Sequence, residues 1–297
     1  MSRPISILAA FLGLLAPALV ARAEVNVRDF GATPDDGTDD TKAIVAALAA
    51  CAKAGGGSVY VPAGTYLVSR QGKENPVLEV PSNTTVRGDG AASVLKFDPR
   101  VNQSNFWRMI GASQTDARNV TIRDLHLDGS NEHLKYEPGM PEQDHGVFFG
   151  RQDGKIENVT VRDCLVENFG GDCVSISMGC RNVTVRDVAV RNFLRQGIQL
   201  AGDARARDYL VTGCQDLEGN VTPMVVLGLV PSPDTPGGVR VRAVAQGPSD
   251  DKDPHPRPLP AYRAREESAP PSTVSEPSDF VGRQGRGQSR ARAGARV

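Results

Sequence analysis

The sequence predicts an all-β protein: a right-handed single-stranded parallel β-helix with an N-terminal capping α-helix and a disordered C-terminal tail. Three observations carry that expectation. A six-residue pattern with strand periodicity occurs three times, as Asn119-Val-Thr-Ile-Arg-Asp124, Asn158-Val-Thr-Val-Arg-Asp163 and Asn182-Val-Thr-Val-Arg-Asp187. The later copies recur every 24 to 26 residues, from Val159 to Val183 and on to Tyr209. That period suits one coil of a parallel β-helix better than a propeller blade or a helical repeat. Finally, a single helical segment precedes the first strands, where a stack needs a cover for its open edge.

The chain opens with Arg3, an apolar run from Ile5 to Val20, and Ala21-Arg22-Ala23. This is the layout of a signal peptide over residues 1–23, too short for the roughly 20 apolar residues of a membrane span. A secreted or periplasmic protein is expected, with no membrane attachment after cleavage. Thr38 to Ala54 then reads as the helix, with Thr38 or Asp39 as N-cap and Gly55-Gly56-Gly57 as its stop. Ile44, Leu48 and Cys51 mark its buried face. Ser58 to Val61, a Pro62-Ala63-Gly64 turn and Thr65 to Val68 follow as strands.

Within the repeats, apolar and polar residues alternate, so Val120, Ile122, Val159, Val161, Val183 and Val185 point inward. Superposing copies places Leu125, Cys164, Val188 and Cys214 in one inward column, and Leu127, Val166 and Val190 in another. Cys164 and Cys214 lie two coils apart, about 9 to 10 Å, beyond the reach of a disulfide, and are expected as buried thiols. Whether Cys173 and Cys180 pair is left open. Asn168 and Asn192 share one turn position, where stacked amides form a ladder. Asn83, Asn119, Asn158, Asn182 and Asn220 match the glycosylation sequon, but three recur in phase with the repeat, which favours a turn role. Arg123, Arg162 and Arg186, each followed by Asp, form an outer charge ladder.

Composition excludes several classes. With 34 basic and 35 acidic residues, the chain lacks the basic surplus that nucleic-acid binding calls for. The cysteine spacing lacks paired CxxC units, so no metal centre is read from the cysteines. No cofactor is expected, with calcium left open and not indicated. From about Val221 the repeat stops and Pro, Arg, Gly and Ser dominate, predicting a disordered or non-native tail over 221–297 behind a β-helix domain of 24–220.

Val27-Arg-Asp-Phe-Gly-Ala32, Gly37-Thr-Asp-Asp40 and Gly55-Gly-Gly-Ser-Val-Tyr-Val-Pro-Ala-Gly-Thr-Tyr66 resemble the start of the rhamnogalacturonase/epimerase-like pectate lyase superfamily. The resemblance implies a right-handed β-helix and a polysaccharide partner. That superfamily holds hydrolases, lyases, alginate epimerases and phage tailspikes, so the fold transfers and the reaction does not. Gly170-Gly-Asp-Cys173 resembles the Gly-Asp-Asp-Cys segment of polygalacturonases, with Gly171 in place of the first aspartate. Phe169-Gly-Gly-Asp172 resembles the aspartate motif of mannuronan epimerases, with Val174 and Ser175 where that motif has His and Glu. Asp172 matches both.

Aligned coils set Phe148, Ser175 and Gln199 side by side on the outer surface. Just before them, His145, Asp172 and Gln196 share a column, and Asp144, Gly171 and Arg195 share the next, with neighbours about 5 Å apart. An inserted segment, Ser130 to Gln143, precedes this corner and brings Lys135 and Tyr136; a long loop of this kind usually binds something. Three readings follow. A polygalacturonase-like glycosidase would use Asp144 and Asp172 as acid and base, with Arg195 holding a uronate carboxylate. A lyase or uronan epimerase would use His145 as the base beside a carboxylate neutralised by Arg195. A non-catalytic glycan-binding β-helix would use the same surface without chemistry. Phe148, Ser175, Gln196, Gln199, Lys135 and Tyr136 are the accompanying substrate contacts.

Overall fold

The computed structural model describes residues 24–73, 75–100, 107–130, 144–202, 207–217 and 225–228. The expected leader, Lys135 and Tyr136, and the tail beyond 228 lie outside the described residues. Strand β1 (Glu24–Asn26) and helix α1 (Thr41–Lys53) precede six successive coils. The first coil comprises β2 (Gly57–Tyr60), β3 (Gly64–Val68) and β4 (Leu78–Glu79). The second comprises β5 (Thr84–Arg87), β6 (Ser93–Phe97) and β7 (Arg108–Ala112), and the third β8 (Ala117–Arg123), β9 (His126–Asp128) and β10 (His145–Phe149). Two coils with longer strands follow: β11 (Ile156–Phe169) with β12 (Asp172–Ile176), then β13 (Cys180–Phe193) with β14 (Gln196–Ala201). The sixth contains β15 (Arg207–Thr212), β16 (Gln215–Asp216) and β17 (Val225–Gly228).

Every strand pairing is parallel, within an 11-stranded sheet and a six-stranded sheet that the chain visits in turn. This is a parallel β-helix. Coils stack in register, so equivalent side chains form columns. Val59, Val86, Ile122, Val161, Val185 and Val211 follow one another through six coils, each at most 2% exposed. On the six-stranded sheet Leu78, Ile110, Val147, Val174 and Ile198 do the same, all fully buried. The inward residues expected from the repeats are all in the core.

The polar half of each repeat makes the corners. Asn83, Asn119, Asn158 and Asn182 take the left-handed conformation that Asn tolerates, and their amides hydrogen-bond coil to coil at 2.8 to 2.9 Å. Asn192 donates to Asn168 at 2.7 Å, and Asn168 to Asp128 at 2.9 Å. Asp124, Asp163 and Asp187 (φ 53–54°) turn the larger sheet around its edge, and each pairs with the preceding arginine. The Arg ladder is therefore neutralised residue by residue.

Two details differ from the expectation, and a third closes a question the sequence left open. Helix α1 starts at Thr41, three residues late: Asp36 accepts from the Thr38 amide, Asp39 from the Thr41 amide, and Asp39 bridges to Leu67, which holds 36–40 as a turn. Its buried face, Ile44, Leu48 and Cys51, is as expected. Strand β17 extends the smaller sheet past residue 220 by pairing with β14, because Val225-Val-Leu is an apolar run without the Asn-Val-Thr signature. No disulfide joins Cys173 to Cys180; both are buried thiols that point to carbonyl oxygens of Val166 (3.1 Å) and Phe149 (3.4 Å). Cys164 and Cys214 are buried as expected, and burial pushes their thiols up to about 12 and about 11. Among the described residues, no helix is long and apolar enough to cross a membrane.

Candidate functional site

The outer surface of β7, β10, β12 and β14 forms a cleft of about 450 Å³. Register places its parts as the alignment of coils expected. Asp172 pairs with Gln196, Phe148 with Ser175, and Ser175 with Gln199, while His145 stands one coil before Asp172 and accepts its amide. Gly171 donates its amide to the Asp144 carbonyl at 2.8 Å, and Arg195 donates its amide to the Gly171 carbonyl at 3.2 Å. His145, Arg195, Gln199, Ser175 and Phe148 line the cleft.

Asp172, Asp144 and Gln196 are not on the cleft wall. Asp172 is fully buried and Asp144 is 3% exposed, its Oδ1 accepting the Trp107 amide at 3.0 Å. Behind the wall, Asp172 is 3.5 Å from Arg195 Nε and 3.5 Å from His145 Nδ1. With the Gln199 amide turned to satisfy the network, its nitrogen donates to Ser175 Oγ and Asp172 Oδ2 at 3.0 Å, and its oxygen accepts from Arg195 Nη2 at 3.1 Å. Gln199 and Ser175 thus link the buried carboxylate to the cleft.

The state of His145 follows from one hydrogen bond. Its Nδ1 accepts the Asp172 amide at 2.9 Å, so the neutral ring holds its proton on Nε2. Burial, then the nearby Arg108 and Arg195 charges, pull its pKa down to about 3. At neutral pH the ring is neutral and presents a hydrogen-bond donor at Nε2.

Burial pushes Asp172 up to about 6, against the pull of Arg195. Folding favours its protonated form, so the stability it contributes is present below about pH 4 and lost as pH rises through 6. His145 works in the opposite sense: its contribution is present above 6.5 and lost as pH falls toward 3. Between about pH 4 and 6 the unfolded chain carries one proton on the imidazole and the folded chain one on the carboxyl, and the two effects offset. Asp172→Asn removes one of them. The stability advantage of wild type over this variant is expected to grow as pH falls from 6 to 4, by up to about 1.4 kcal/mol per pH unit. Urea melts at four pH values check this, and a pH-independent difference would rule it out.

The sequence reading missed Arg108 and Arg151, both on the cleft wall. Arg108 shares the His145 column one coil earlier, so extending the alignment to Trp107-Arg108 would have found it. Arg151 follows β10 in a turn with no repeat signal. Arg108 lies 3.6 Å from the Phe148 ring centroid, and Phe148 stacks with His145 at 5.9 Å. Its Nε is buried without a hydrogen-bond partner, and desolvation lowers its pKa. Arg151 pairs with Asp116 at 3.2 Å and Arg195 with Asp172, but Arg108 has no carboxylate partner among the described residues.

The space beside His145 also explains residue 171. A Cβ added to Gly171 would sit 2.7 Å from His145 Nδ1 and 2.8 Å from the Asp144 carbonyl oxygen. No side chain fits there while His145 holds its place.

The arrangement has known relatives. Residues 24–115 match the family model for rhamnogalacturonase A/epimerase, pectate lyase-like proteins. Mannuronan C5-epimerase AlgE3 of Azotobacter vinelandii is 40% identical over 111 residues, covering 36% of this chain and 6% of the relative. Alginate lyase 7 of the same organism is 38% identical over 109 residues, covering 36% and 13%. Among solved structures, the A-module of A. vinelandii mannuronan C-5 epimerase AlgE4 superposes with a TM-score of 0.54 at 27% identity, over 65% of this chain and 50% of that one. The chain therefore spans a small part of its curated relatives and half of the superposed module.

Proposed function

We propose that this protein acts on uronate units of an acidic polysaccharide by proton chemistry beside the carboxylate, as an epimerase or lyase. The observation that supports it is the wall of the cleft: three arginines and no carboxylate among its twelve described residues. A glycosidase needs two carboxyl groups flanking the scissile bond. Here the two expected carboxylates are buried behind the wall, and the position of a second motif aspartate is closed by His145. This replaces the glycosidase reading as the first choice. An arginine on a uronate carboxylate draws charge from the ring and so acidifies the adjacent C–H. His145 Nε2–H supplies a donor on the same wall. The names of the relatives, mannuronan epimerases and an alginate lyase, point the same way.

We infer that the coil takes the right-handed path usual for parallel crossovers, and that residues 1–23, read as a leader, direct the protein out of the cytoplasm. A second reading, a glycan-binding module without catalysis, is favoured by Val174: where the epimerase motif has His, a fully buried core side chain stands.

Polymannuronate, polyguluronate and polygalacturonate, each incubated with the full chain, separate these readings. Elimination gives ultraviolet-absorbing unsaturated uronides; epimerisation alters sugar composition without shortening the chain. New saturated reducing ends would restore the glycosidase reading. Binding without product would select the glycan-binding module, and neither binding nor product would remove the uronate assignment.

A further inference from the structure

We propose that Glu79, outside the cleft, is a positioning residue for Arg151 and through it for the affinity of the cleft. Glu79 ends β4, beside Gly111 of β7. Its carboxylate accepts three consecutive backbone amides: Ser113 at 3.2 Å, Gln114 at 3.0 Å and Thr115 at 3.0 Å, with the Thr115 hydroxyl at 3.3 Å. Successive amides converging on one anion form a nest, and its conformation is held by that anion. The turn built this way does two things for the cleft. The Gln114 carbonyl accepts a hydrogen bond from Arg151 Nη1, and Asp116, just beyond the turn, pairs with Arg151 Nε at 3.2 Å. Ser113 itself lines the cleft beside Arg151. One carboxylate thus braces the turn from which both acceptors of the guanidinium project, alongside the Lys155 amide on Asp116 at 2.9 Å and the Ser113 hydroxyl on the Asn75 carbonyl at 2.7 Å.

Without Glu79, three amides lose a charged acceptor, the turn relaxes, and Arg151 loses its anchor while remaining in the chain. The effect on ligand rests on the function proposed above; the placement of Arg151 does not.

The test uses the full chain and two readouts. The first is the Arg151 Nε–H resonance in a 1H–15N spectrum, assigned by its absence in Arg151→Ala. It is expected to shift and broaden in Glu79→Ala, and to shift less in the same direction in Glu79→Gln, whose amide oxygen still accepts. The second is calorimetric binding of a polymannuronate oligomer, expected to weaken about tenfold in Glu79→Ala, with most of the loss recovered in Glu79→Gln. In the Arg151→Ala background, Glu79→Ala should add nothing. An unmoved Arg151 resonance overturns the proposal, as do additive losses. If Glu79→Ala does not fold, the Glu79→Gln resonance decides. If the wild type binds no oligomer, the uronate reading falls and the resonance alone judges Glu79.

Discussion

Replacing Val161 by Asp is expected to abolish cooperative folding. Val161 is fully buried, with Ile122 stacked on one side and Val185 on the other in the column that runs through all six coils. An aspartate there faces apolar side chains above and below, and nothing in the column donates a hydrogen bond. Burying an unpaired charge costs on the order of 3 to 5 kcal/mol, beyond the packing lost with the valine. That is a large fraction of the about 5 to 15 kcal/mol by which domains are stable. Because each coil packs only against its neighbours, a fault in the fourth coil divides the stack. Circular dichroism melts should show no cooperative transition, whereas Val161→Ile should melt near wild type. A cooperative Val161→Asp melt would mean that the column is wetter than its burial shows.

Arg108→Ala should weaken polyuronate binding by about 100-fold, corresponding to loss of a charge-assisted contact and its desolvated setting. Arg108 already rests on Phe148 and, among the described residues, has a buried Nε without a hydrogen-bond partner and no ion pair, so a ligand carboxylate meets a cation that gives up no such contact to bind it. Arg151 and Arg195 each have a carboxylate nearby and should contribute less. Arg108→Lys keeps the charge without the planar stack, and should fall between wild type and Ala. Calorimetry at two salt concentrations checks the ranking; equal losses for all three arginines would contradict it.

Much of the fold was legible because a β-helix repeats itself. Asn-Val-Thr-Val-Arg-Asp encodes a corner, an inward pair and an outer ion pair, and the three copies of this pattern stack in the register that their alignment implies. The columns His145–Asp172–Gln196 and Phe148–Ser175–Gln199 came from the same arithmetic. Depth did not. Periodicity says that Phe148 and Ser175 point away from the core, yet they are 7% and 1% exposed, because Arg108 covers one and Gln199 the other. Nor does alternation reveal that Asp144 turns back to the Trp107 amide. Corner residues leave the strand period, and their direction depends on local hydrogen bonds. Arg108 escaped notice because the repeat signature begins only with the following strand.

The contact between residue 171 and the His145 ring makes these two positions a single evolutionary unit. An aspartate cannot enter at 171 while the imidazole stays, since its first side-chain atom would land 2.7 Å from Nδ1, and the Asp144 carbonyl, 2.8 Å away, must also give way. Removing the imidazole first strips the Asp172 amide of its acceptor. Either single step carries a cost of its own, so a lineage crossing between a histidine-walled and a carboxylate-paired corner is expected to change both residues nearly together. Sequences along this branch should show the two positions covarying.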